Sequence, residues 1–138
     1  MGKSKILSLI LKNLRSKPVT IQYPKEKPWV EPDFRGRQYS DLQKCIGCGL
    51  CRIECPADAI TMKKIPDEYE VPKKNARKLF PVVDYMKCVF CYRCVTVCPV
   101  RAFTMTNYFE LADTQHVTSE ELSLSTLQKK TGGGEEKQ

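Results

Sequence analysis

The chain of 138 residues has one histidine, His116, and one tryptophan, Trp29. It carries no Ser-His-Asp set, no phosphate-cradling glycine loop and no recognisable carboxylate pair, so no catalytic site of its own is expected. His116 reads as a surface side chain rather than a ligand or proton carrier. No stretch reaches the roughly 18 to 20 apolar residues that a bilayer-crossing helix needs. An apolar core followed by a small-residue cleavage site is also missing near the N-terminus, so a secreted disulfide framework is not the expectation; reduced thiols in a cytosolic compartment are. Acidic side chains are absent from residues 1–17, which hold Lys3, Lys5, Lys12, Arg15 and Lys17, whereas residues 108–138 carry three basic and six acidic ones. The net charge of +7 is therefore unevenly placed, and the wholly basic N-terminal segment points to an anionic surface there. Nucleic acid is not an expected partner, because basic residues are not interleaved with aromatics and no binding module is recognisable.

What the chain has instead is cysteine. All eight lie in two runs, Cys45 to Cys55 and Cys88 to Cys98. A shift of 43 residues superimposes them: Asp41-Leu42-Gln43-Lys44-Cys45 falls on Asp84-Tyr85-Met86-Lys87-Cys88, and Cys48, Cys51 and Cys55-Pro56 fall on Cys91, Cys94 and Cys98-Pro99. Ala59-Ile60-Thr61-Met62 continues the match against Ala102-Phe103-Thr104-Met105, so one structural unit is used twice. Each unit reads as a cysteine loop, one or two helical turns starting near Pro56 or Pro99, and a short strand. Val82-Val83 reads as a partner strand. Residues 56–87 join the units through a Lys- and Pro-rich stretch whose Lys73, Lys74, Arg77 and Lys78 read as a solvated loop.

Each run has the form C-x2-C-x2-C-x3-C-P. Three cysteines spaced three apart can wrap around three corners of one cubane, while the fourth, before proline, leaves on a diverging stretch and ligates the other cluster. This rule assigns Cys45, Cys48, Cys51 and Cys98 to a first [4Fe–4S] cluster, and Cys88, Cys91, Cys94 and Cys55 to a second. A chain crosslinked in this way should lose most of its fold without its clusters. Zinc also takes four thiolates, usually as two separated pairs; the third cysteine, the x3-C-P ending and the duplication argue against it. Gly47 and Gly49 let backbone N–H groups approach the first cluster's sulfurs, whereas Phe90 and Tyr92 stand at those places in the second run and imply a bulkier wall. Ile46, Ile53, Ile60, Val89, Phe90, Val95, Val97 and Phe103 are the expected apolar shell.

Around this centre, residues 4–16 project as a helix with Ile6, Leu7, Leu9, Ile10, Leu11 and Leu14 on a broad apolar face and Lys5, Lys12 and Arg15 opposite. That pattern favours an in-plane helix on a membrane or on membrane subunits over one packed on the chain's own core. From Pro18 to Asp33, four prolines exclude a long helix and predict an extended arm, with Trp29 a plausible anchor on a partner. Thr131 to Gln138, with three consecutive glycines, reads as disordered.

From Val19 to Asp113 the chain resembles the two-cluster ferredoxin subunit of respiratory complex I and its relatives, the membrane-bound [NiFe] hydrogenases and membrane-bound sulfane sulfur reductases. The resemblance rests on Val19-Thr20-Ile21-Gln22-Tyr23-Pro24, Phe34-Arg35-Gly36-Arg37, both cysteine runs and Asn107-Tyr108-Phe109-Glu110-Leu111-Ala112. It implies a non-catalytic electron-transfer subunit in a peripheral arm, on the cytoplasmic face of the membrane. Its partners would be neighbouring iron–sulfur and catalytic-type subunits. Complex I members commonly carry glycine where this chain has Tyr92, and with the short chain this inclines the reading toward the hydrogenase or sulfur-reductase branch. A soluble two-cluster ferredoxin is the alternative. The expected fold is α+β, a bacterial-type 2[4Fe–4S] ferredoxin-like domain with pseudo-two-fold symmetry over 38–113. An amphipathic helix over 1–17 and an extended arm over 18–37 precede it, and a C-terminal extension over 114–138 follows.

Overall fold

A computed structural model describes residues 5–129; the expected disorder of 131–138 falls outside them. The chain divides into two units, Met1–Val30 and Glu31–Gln138. In the first unit, α1 (Lys5–Arg15) is followed by irregular chain that bends where Glu26 N–H donates to the Gln22 carbonyl (2.9 Å), so the arm is not extended throughout. Along α1, Ile6, Leu9, Ile10 and Leu14 remain exposed.

The second unit contains β1 (Gln38–Ser40), α2 (Leu50–Ile53), β2 (Ile60–Lys64), β3 (Leu79–Val83), α3 (Arg93–Val97), β4 (Phe103–Met105) and α4 (Glu120–Leu124). The described strands form two antiparallel pairs, β1 with β4 and β2 with β3. Their registers set Ser40 opposite Phe103 and Ile60 opposite Val83. These are matching positions of the repeat: each unit supplies the partner strand for the other. Pro81 fits within β3 because a two-stranded ladder leaves one side of each strand without a hydrogen-bonding neighbour.

The backbone repeats its hydrogen bonds as well as its residues. Cys45 N–H donates to the Asp41 carbonyl and Cys88 N–H to the Asp84 carbonyl, both at 3.0 Å. Asp41 N–H donates to Ala102 O (2.7 Å) and Asp84 N–H to Ala59 O (2.8 Å). Asp41 and Asp84 also turn their carboxylates onto the N–H groups of Gln43 and Met86, each at 3.0 Å, the local turn chemistry expected of aspartate.

One element lies elsewhere than the sequence suggests. The helical turns precede Pro56 and Pro99, because α2 and α3 sit between the second and fourth cysteines of each run. The residue before a proline disfavours the helical region, and Cys98 is extended (φ −72°, ψ 112°). The chain then turns through Asp58 and Arg101, both at φ 47°.

Two apolar clusters fill the interior. Leu42, Ile65, Phe80, Val82, Ala102 and Leu127 form one with Cys45, and Ile60, Val83, Tyr85 and Phe103 form the other with Cys51 and Cys94. Ser119, Ser123 and Thr126, within the expected C-terminal extension, close both ends. Val83 N–H donates to Ser119 Oγ (2.8 Å), Ser40 N–H to Ser123 Oγ (3.2 Å) and Leu42 N–H to Thr126 Oγ1 (3.0 Å). Ser119 stands at the start of α4 without capping it; its hydroxyl oxygen serves a buried strand N–H, which would otherwise cost about 1–3 kcal/mol.

Candidate metal centre

Helices of four and five residues are too short to be stable alone, and each starts from a left-handed residue rather than a side-chain cap. Those residues are Gly49 (φ 80°) for α2 and Tyr92 (φ 62°) for α3. Two positions earlier, Gly47 (φ 66°) and Phe90 (φ 50°) are also left-handed. The paired reversals wind each run around a pocket. Cys45, Cys48, Cys51 and Cys98 line the first pocket, and Cys55, Cys88, Cys91 and Cys94 line the second. Each pocket thus receives three thiols from one run and one from the other.

Burial and neighbouring thiols also act on the innermost cysteines. Burial pushes the Cys45 thiol up, and the proximity of Cys98 and Cys48 raises it further. Burial pushes Cys51 and Cys94 up to about 12; neighbouring Cys45 and Cys48 add to the first, and Cys88, Cys91 and Cys55 to the second. The buried thiols of Cys45, Cys51 and Cys94 stay protonated near neutral pH unless a cationic centre stabilises their thiolates. No group of three or more His, Cys, Asp or Glu among the described residues converges on a single-ion position. The thiols surround a volume, an arrangement that suits a polynuclear iron–sulfur group.

Backbone donors point at the sulfurs. Ala59 N–H lies 3.3 Å from Cys55 Sγ and Ala102 N–H 3.3 Å from Cys98 Sγ; Phe90 N–H lies 3.4 Å from Cys88 Sγ. The apolar wall is less complete than the sequence suggests. Ile60 and Phe103 are buried, and Ile46, Phe90, Val95 and Val97 half-buried. Ile53 and Val89 are 77% and 63% exposed. They fall on the outer sides of the runs, where exposed Cys48 and Cys91 also lie.

Three residues bearing on the pockets were missed in the sequence. Asn75, 1% exposed, brackets the Leu79 backbone with Nδ2 to its carbonyl (2.7 Å) and Oδ1 from its N–H (3.3 Å). Its Oδ1 would lie 2.6 Å from any Cβ at position 47. Gln38 donates from Nε2 to Cys88 Sγ at 3.2 Å. Tyr85 donates its hydroxyl to the Gln38 carbonyl (2.5 Å); burial raises that hydroxyl's pKa and keeps it a donor. No spacing rule marks Asn75 or Gln38, since Asn75 meets Gly47 and Gln38 meets Cys88 across stretches distant in sequence. The Phe34–Arg37 segment is fastened here too. Tyr92 donates its hydroxyl to the Gly36 carbonyl, Arg35 lies 5.7 Å from the Tyr92 ring centroid, and Arg37 lies 4.7 Å from that of Tyr108. His116 stands apart from the pockets, beside Asp84 at 3.3 Å.

Comparison with known proteins agrees with this geometry. Residues 44–102 match the 4Fe-4S dicluster domain family. NADH-quinone oxidoreductase subunit I of Carboxydothermus hydrogenoformans is 41% identical over 78 residues, covering 56% of this chain and 52% of that protein. Subunit 9 of the same enzyme from Thermus thermophilus is 42% identical over 71 residues, covering 48% of this chain and 39% of that one. The chain thus spans about half or less of the length of these relatives. A chain in a solved structure of the membrane-bound sulfane sulfur reductase, an archaeal respiratory membrane complex, superposes with a TM-score of 0.56 at 36% identity. That match covers 84% of this chain and 58% of the other. Residues 44–102 are thus similar to a domain family that carries two [4Fe–4S] clusters, in a chain similar to subunit I of NADH-quinone oxidoreductase and to a chain of the sulfane sulfur reductase complex.

Proposed function

We propose that this chain is a non-catalytic electron relay in the peripheral arm of a membrane-bound, complex I-like oxidoreductase of the hydrogenase, sulfur-reductase or quinone-reductase type. The observation that carries the reading is the paired pocket: three thiols of each run meet the fourth thiol of the other. Cys45, Cys48, Cys51 and Cys98 would hold one [4Fe–4S] cluster, and Cys88, Cys91, Cys94 and Cys55 the other. Bound clusters supply reversible one-electron transfer. The chain's own residues hold eight thiolates, donate backbone N–H groups to the sulfurs and exclude water with Ile60, Phe90 and Phe103. Because α2 and α3 pack on each other and each leads to a crossing cysteine, the two sites are fixed close together. The matched strand pairs and hydrogen bonds support a pseudo-two-fold relation over the expected 38–113 domain.

The exposed apolar residues of α1 and its basic last turn, Lys12 and Arg15, support an amphipathic contact with a membrane surface or membrane subunits through residues 4–16. Among the described residues no helix is long and apolar enough to cross a membrane. The assignment places the chain peripherally on the cytoplasmic face, beside iron–sulfur and catalytic-type subunits.

Purification of the intact assembly through this chain, from native membranes in mild detergent, tests the reading by metal content. Nickel with abundant iron identifies a hydrogenase-type complex, and iron without nickel a sulfur- or quinone-reducing one. Recovery of the chain alone with about eight irons, two four-iron clusters, would replace the complex with a soluble carrier. A colourless zinc protein would remove the redox function altogether.

A further inference from the structure

The two cysteine pockets share their backbone donors, but one buried side chain donates to a ligand sulfur in only one of them. Gln38 is 1% exposed, lines the second pocket and donates from Nε2 to Cys88 Sγ at 3.2 Å. The same shift of 43 residues places Pro81 at the corresponding point of the first pocket, which it lines. Proline has neither a side-chain donor nor a backbone N–H, so it gives the first site no matching bond. Gln38 is held on both sides of its backbone, by the ladder to Met105 and by the Tyr85 hydroxyl on its carbonyl. Its Oε1, buried, has no hydrogen-bond partner among the described residues. A buried amide that leaves its oxygen unsatisfied while its nitrogen faces a thiol is placed for the sulfur rather than for the core.

We infer that Gln38 sets the two clusters apart in potential by donating a charge-assisted hydrogen bond to the Cys88 thiolate. This inference rests on the proposed ligation. A donor to a ligand sulfur stabilises negative charge, and a reduced cluster carries one more negative charge than an oxidised one, so the bond favours the reduced form. Removal from bulk water strengthens the effect. The Cys88 site is therefore held at a higher potential than it would have without Gln38, which makes it a better electron acceptor than it would otherwise be. Gln38 is a positioning residue: it touches a ligand sulfur.

The test is redox titration of the full-length, cluster-loaded chain, followed by electron paramagnetic resonance, for wild type and Gln38→Met. Methionine keeps the length and removes the donor. The expected result is unchanged iron content with one midpoint lowered, by up to a tenfold change in the reduction equilibrium or about 59 mV for one electron. The shifted signal should be the one that Cys88→Ser perturbs, with the other unmoved. Two full clusters with unshifted midpoints, or equal shifts in both, would overturn the inference while leaving the ligation intact. Where Gln38→Met does not assemble, wild-type chain labelled with 15N in glutamine side chains decides: hyperfine coupling from that nitrogen to one reduced cluster supports the bond, and no coupling overturns it. A wild-type chain without two clusters would sink the ligation and this inference with it.

Discussion

The two cysteine runs trace almost the same path with different residues at its hardest points. The first run enters its two left-handed positions with Gly47 and Gly49, where such backbone is free of steric cost. The second enters them with Phe90 and Tyr92, at a cost of order 1–3 kcal/mol each. What surrounds them explains the difference. Gly47 faces Asn75 and the Leu79 carbonyl and has no room for a Cβ. Phe90 stacks on Tyr85 with ring centroids 6.4 Å apart, and Tyr92 is 5% exposed with its hydroxyl on Gly36. The repeat conserves a backbone course, and local packing decides whether a side chain can offset the strain of following it. The departure at Tyr92 that the sequence presents as an oddity is the anchor for the Phe34–Arg37 segment.

The sharpest way to break the comparison is through the crossing ligands. Cys98→Ser, though in the second run, is expected to abolish or convert the first cluster and leave the second largely intact. Loss of only the second cluster in the spectrum would refute the exchange of ligands between runs. The next effect is Gly47→Ala, with its added Cβ at 2.6 Å from Asn75 Oδ1 and 2.9 Å from the Leu79 carbonyl. Strain and overpacking together should lower the stability of the loaded chain by about 3 kcal/mol, read as a lower urea midpoint. A change below ~1 kcal/mol would mean that Asn75 yields easily and that glycine is not demanded there.

The C-terminal segment offers a smaller test, since Ser119 and Ser123 serve matching positions of the two repeats. Ser119→Ala strands the buried Val83 N–H and should cost roughly 1–3 kcal/mol. Ser123→Ala should cost less, because its bond to Ser40 N–H is longer at 3.2 Å. Equal losses in urea titration would show that both ends are fastened alike. Smallest of all is Gly49→Ala. Nothing lies within 4 Å of a Cβ there, so only the left-handed backbone is penalised, by about 1 kcal/mol. A loss as large as that of Gly47→Ala would locate the demand for glycine in backbone strain alone rather than in Asn75.

Much of the centre was legible from spacing. Eight cysteines in two C-x2-C-x2-C-x3-C-P runs can satisfy few other chemistries, and the match past the ligands into Ile60 and Phe103 marked the two residues that do become buried walls. Ile53 and Val89 belong to the same expected wall because hydrophobicity gives no side; only the course of α2 and of the cysteine loop ahead of α3 leaves them exposed. The C-terminal latch left a trace, since Ser119, Ser123 and Thr126 recur at helical spacing on one face. That face is polar, and a hydrophobic pattern cannot reveal a surface whose work is to accept hydrogen bonds.

The sequence by itself determined the duplicated cysteine pattern and the grouping of thiols that a crossing fourth cysteine predicts, because these depend on residue type and short spacing. Tertiary structure decided why Gly47 has no room for a side chain, and why Gln38 meets Cys88 while Pro81 takes its place in the other site. Those outcomes depend on pairing chain segments tens of residues apart, where burial and hydrogen-bond geometry choose among arrangements that local sequence leaves equally open.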